Sequence, residues 1–151
     1  SNVWIGTSVE DQSNADRRIP ELLKIPAVRR FLSLEPLLGP ADLVSDIQHH
    51  SHPLHKSSPI NCIDWLIIGG ESGRGARPRH VDWIRSLVKQ GKEAGVATFV
   101  KQLGAVAVEH QSDEWGVPLG NLRICGGHPK GGDPAEWPED LRVREFPEGL
   151  R

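Results

Sequence analysis

The segment Asp64-Trp65-Leu66-Ile67-Ile68-Gly69-Gly70-Glu71-Ser72 decides the fold. It is an apolar run of strand length, closed by two glycines and then by polar residues. Three other runs repeat the design: Val3 to Glu10, Arg30 to Glu35 and Ala97 to Gln102. Helix-like segments separate them. After the third run, His80 to Lys89 places Val81, Ile84, Leu87 and Val88 on one face, and Gly95 is the expected C-terminal stop. Between the first two runs, Asn14 to Pro26 reads as an interrupted helix. Pro20 opens a second short piece, Leu22 and Leu23 form its apolar face, and Pro26 ends it. The second connection offers only a short amphipathic piece, Ala41 to Ile47.

Strands alternating with helices predict an α/β fold with parallel strands and helices outside them. The expected architecture is a partial (β/α) barrel of about four βα units over residues 1–104. Past Gly104 the pattern weakens into Gly, Pro and Trp, so residues 105–151 are expected to be an irregular C-terminal cap packed on the same domain. His49, His50, His52 and His55 lie in a polar, aperiodic stretch that reads as a surface insertion whose metal binding, if any, is adventitious.

The 151 residues can bury a core without a staple. With 37% hydrophobic and 25% charged residues the composition is that of a globular chain, and no apolar run approaches the roughly 20 residues that span a bilayer. A net charge of -2 speaks against nucleic-acid binding by overall field and leaves room for local basic patches. Two separated cysteines, Cys62 and Cys125, form no disulfide framework and no metal motif, which fits a reducing cytoplasm. The chain enters a strand at once from Ser1, so a longer parent protein is expected.

Barrel enzymes place their chemistry at the C-terminal ends of strands. Glu10, Glu35, Glu71 and Lys101 each fall at such an end, and Ser8 and Ser33 share strand faces with Glu10 and Glu35. The four chargeable groups are therefore the catalytic candidates, set against the plainer reading that each marks where a strand meets water or closes an ion pair. Gly69, Gly70, Glu71, Ser72 and Gly73 form a glycine turn that lets a ligand approach the backbone; without a Gly-Lys-Ser/Thr ending it is not a Walker loop. Arg74, Arg77 and Arg79 follow as candidate phosphate or nucleic-acid contacts, the alternative being a solvated face. Trp115 and Trp137 are expected to pack in the cap rather than stack on bases.

Asn2 to Gln12, Arg30 to Pro40, and Gly69 to Gly73 continuing through Ala76-Arg77-Pro78 to Leu87 together resemble a phage-associated three-cysteine-motif family of unknown function. Its barrel is similar to that of radical S-adenosylmethionine enzymes. Val100-Lys101-Gln102 and the ending Trp137 to Pro147 match as well; Leu103, where the family favours tryptophan, and the histidine-rich insertion depart from it. The resemblance implies a half-barrel that follows an N-terminal half carrying the cysteines of an iron–sulfur cluster. It also implies that Gly69 to Ser72, with Ser8, Ser33, Glu10 and Glu35, line a pocket for S-adenosylmethionine or substrate.

Three functions are expected in order. The first is a radical S-adenosylmethionine-like enzyme acting on a nucleic acid or its precursor, with a protein partner encoded nearby. The second is a metal-independent hydrolase or lyase using two of the strand-end carboxylates as acid and base. The third is a non-enzymatic module binding protein or nucleic acid. Self-association through an exposed half-barrel edge is expected in each case.

Overall fold

A computed structural model describes residues 3–45, 58–112 and 118–149. The four apolar runs are strands, with a two-residue strand between the last two: β1 (Trp4–Ser8), β2 (Arg29–Leu34), β3 (Trp65–Gly69), β4 (Arg79–His80) and β5 (Ala97–Gln102). Four of them form one parallel sheet in the order β1-β2-β3-β5. Two helices connect its strands, α1 (Gln12–Leu23) and α2 (Val81–Ala94). The fold is thus mixed α/β with a parallel sheet.

The two faces of that sheet differ. On one, Leu32, Leu34, Leu66, Ile68 and Val100 are buried in a single cluster with Ala15, Ile19 and Leu22 of α1 and Val81, Ile84 and Leu87 of α2, and Thr98 is buried as well. Gly91 lets α2 approach closely, since a Cβ there would fall 2.2 Å from the Thr98 hydroxyl. The opposite face carries Gly6, Phe31 and Trp65 in one register layer and Ser8, Ser33, Ile67 and Phe99 in the next. Its large side chains are only half-buried. Phe31, Trp65 and Phe99 form an aromatic row, with ring centroids 6.5 and 6.2 Å apart.

Helix α1 corrects the interrupted reading of residues 14–26. Asp11 caps it by accepting from the Asn14 amide at 2.9 Å, and the helix runs unbroken through Pro20. The ring removes one backbone donor, and burial of Ala15, Ile19 and Leu22 along one stripe offsets that loss. Helix α2 extends beyond Lys89 to Ala94 and stops at Gly95 in the left-handed region (φ 68°). The amphipathic piece expected from Ala41 is irregular over 41–45, where Asp42 accepts from the Val44 and Ser45 amides; its remainder lies outside the described residues. The histidine insertion and Trp115 lie outside them too.

The tail is more ordered than its composition suggests. β6 (Ala107–Ser112) and β7 (Pro118–Arg123) pair antiparallel, and β6 also pairs with β4 in a second, three-stranded sheet. Further on, Trp137 is buried and its indole donates to the Gly131 carbonyl (3.0 Å), as a cap residue should. Residues 143–145 then run antiparallel along the outer edge of β5, through Val100 N–H to Val143 O (2.9 Å) and Glu145 N–H to Thr98 O (2.8 Å). Phe146 lies on Trp65 and Phe99.

Candidate functional site at the strand ends

The parallel register brings one group of predicted residues together. The Glu35 carboxylate accepts from Lys101 Nζ at 3.0 and 3.2 Å and from Gln102 Nε2 at 3.0 Å. Both donors reach it because the register between β3 and β5 shifts at Ile68/Gly69, so that Gly69 is opposite Gln102. Gln102 also donates to the Gly70 carbonyl at 3.0 Å, which locks its amide. Ser8 and Ser33 lie side by side in register on the same face, one layer below Glu35.

The other two carboxylates have separate partners. Glu10 is held by Arg18 of α1 at 2.8 Å, and Arg18 also donates to the Ser8 carbonyl. Glu71 accepts from the Arg77 amide, Nε and Nη2, each at 2.9 Å. Those bonds hold its carboxyl at about 2, and they staple the loop after β3 into a ring. Ser72, Gly73 and Arg74 are exposed on that ring. Glu10, Glu35 and Glu71 thus each have their own cation, and no shared water is needed to account for any of them.

Two glycines of the turn are required by close packing within the protein. A Cβ on Gly69 would fall 2.8 Å from the Glu35 carboxyl carbon, and one on Gly70 would fall 2.2 Å from Arg79 Nη2 and 2.5 Å from Gly104 Cα. The missing side chains make room for Glu35 on one side and Arg79 on the other. The serine hydroxyls and the Glu35–Lys101 pair lie along the same edge.

Arg79 is the residue that sequence reasoning misplaced. It belongs to a run of arginines that reads as solvated, yet it is only 3% exposed, beneath Gly70 and Gly104, with Nη2 donating to the Leu103 carbonyl. Burial pulls its guanidinium down to about 10, opposed by the charge of Glu35, so it is a cation at neutral pH. Gln102 and Arg18 were missed as carboxylate partners; only the Lys-Gln adjacency at the end of β5 hinted at the first.

Cys62 is half-buried and Cys125 buried, and among the described residues no group of three or more His, Cys, Asp or Glu side chains is placed to hold a metal ion. The described residues therefore do not supply the ligand set of an iron–sulfur cluster. No helix among them is long and apolar enough to cross a membrane.

No curated protein and no solved structure matches the chain. A family described as "Protein of unknown function (DUF5131)" matches residues 1–127, and the chain belongs to that family.

Proposed function

We propose that this chain is the C-terminal half of a (β/α) barrel enzyme of the radical S-adenosylmethionine-like kind, with the edge formed by Ser8, Ser33, Glu35 and Lys101 facing the substrate. The observation that carries the reading is the two-faced sheet: four parallel strands with helices against one face, and on the other half-exposed aromatics and serines that end in a held carboxylate. Parallel sheets are almost always covered on both faces, and in a barrel the face away from the helices is the interior. The sequence resemblance supplies the chemical class, and with it a nucleic acid or its precursor as substrate and a phage or mobile-element setting. An iron–sulfur cluster with S-adenosylmethionine would supply radical chemistry; its protein ligands would come from elsewhere in the parent.

The residues of this half have definable roles. Lys101 and Gln102 fix Glu35 in one orientation, ready to accept a hydrogen bond or a proton from a bound substrate. Ser8 and Ser33 offer two adjacent hydroxyls for a polar substrate group. Hydrolysis by a carboxylate pair is less well supported, since each acid is neutralised by its own base.

The test is anaerobic reconstitution of the full-length gene product with iron and sulfide. Cluster absorbance and reductive cleavage of S-adenosylmethionine are expected. Absence of both would end this reading. In the reconstituted protein, Glu35→Gln should lower substrate turnover by about 10²-fold while leaving cluster absorbance intact.

A further inference from the structure

A buried cation with unmade hydrogen bonds is uncommon enough to require an explanation. Arg79 is 3% exposed, and its Nε and Nη1 have no hydrogen-bond partner among the described residues. Among the described residues the guanidinium makes one hydrogen bond, to the neutral carbonyl of Leu103. Glu35 is the carboxylate it senses, and Glu35 is already neutralised by Lys101. Arginine does not shed its proton to escape burial. The ends of β3 and β5 thus carry a positive charge and two donors that the protein leaves uncommitted.

The location is specific. The guanidinium lies against the backbone where Gly70, directly after β3, meets Gly104, two residues past β5. Loops at the carboxyl ends of neighbouring parallel strands are where α/β proteins take phosphate groups. The loop from Gly70 to Arg79 presents Arg74, exposed and in no ion pair among the described residues, while Arg77 is tied to Glu71. On the other side, the exposed stretch 126–130 leads into a loop held to this edge by Leu103 N–H to Gly131 O (2.9 Å) and Gly104 N–H to Lys130 O (3.1 Å).

We infer that Arg79 is the floor of an oxyanion subsite at the β3–β5 edge, walled by loops 70–78 and 126–132, and that it takes the phosphoryl group of a phosphorylated ligand. This deepens the proposed function by naming a substrate class, and rests on it only for the substrate lying at this edge. The uncommitted charge of Arg79 and the strand-end loops around it suit a phosphoryl group.

The experiment uses the full chain with inorganic phosphate and a nucleoside monophosphate as probes, against chloride at equal ionic strength. Expected results are a rise in Tm with phosphate and a shift of the Arg79 Nε–H resonance. In Arg79→Met the phosphate affinity should fall by about tenfold or more, while that variant, free of its buried charge, melts no lower than wild type in chloride. Tighter binding of the nucleotide would identify a nucleotide-class ligand; equal binding would identify the phosphoryl group itself as the feature held. If Arg79→Met does not fold, the wild-type resonance decides, since an Arg79 Nε–H signal unmoved by saturating phosphate overturns the inference. So does an Arg79→Met protein that keeps the phosphate response. No cluster is required, so failure here and failure of the radical-enzyme reading are separate results.

Discussion

Gly69 and Gly70 are neighbours, yet alanine at the two positions should act oppositely. At Gly70 the new Cβ would meet Gly104 Cα and the Leu103 carbonyl oxygen, each at 2.5 Å, and backbone cannot move aside cheaply. Gly70→Ala should destabilise the protein by about 3 kcal/mol in urea denaturation, at the upper end of overpacking costs. At Gly69 the obstacle is the end of the flexible Glu35 side chain. Gly69→Ala should cost less than about 1 kcal/mol but displace Glu35 from Lys101 and Gln102, so that substrate turnover falls while Tm holds. Equal losses of stability at the two positions would show that the glycines serve one structural purpose. Glu71 supports a pH prediction. Its folded carboxyl is held at about 2, below the ordinary 4.5, so its contribution is intact above about 4.5 and is lost as pH falls toward 2. Protection of the Arg77 amide, relative to its intrinsic exchange rate, should therefore fall across that window, and Glu71→Gln should show the reduced protection already at neutral pH.

At the level of elements, local signals and tertiary placement separate cleanly. The four strands and α2 with its Gly95 stop were legible because apolar runs and the 3.6 period are written within a few residues. The α1 reading went wrong at Pro20, where tertiary burial of Ile19 and Leu22 overrides a local breaker. Pro20→Ala should accordingly stabilise the chain by about 1 kcal/mol, the recovered helix bond being partly offset by a freer unfolded chain; a loss of stability would mean that the ring packs as well as breaks. The hairpin of β6 and β7 was missed because Glu109, His110 and Gln111 give β6 a polar half beside the buried Ala107 and Val108. Of the site, the strand-end positions of Glu35 and Lys101 were readable from alternation. Burial of Arg79 was not, since it depends on Gly70 and Gly104 meeting across two strands distant in sequence.

At the scale of the whole molecule, the four-stranded sheet has one edge closed and one open among the described residues. Residues 143–145 pair along β5, so that edge cannot template another chain, whereas β1 is the other end of the sheet, and no strand pairs with its outer side among the described residues. Beside that edge, the face bearing Phe31, Trp65 and Phe99 is half-buried and Phe146 is 51% exposed, more apolar surface than a parallel sheet usually leaves to water. A chain with such a face should associate with itself in the absence of the strands that would complete a barrel. Sedimentation equilibrium of the chain alone is expected to show a concentration-dependent dimer. Phe146→Glu, which charges the exposed ring position and leaves the sequence of β1 to β5 unchanged, should weaken it by about tenfold, or roughly 1.4 kcal/mol. Should Phe146→Glu dimerise as wild type does, the open β1 edge rather than the aromatic face is the contact. Should the wild-type chain remain a monomer throughout, the half-exposed face is stable in water, and the sheet gives no physical reason to expect a second half over it.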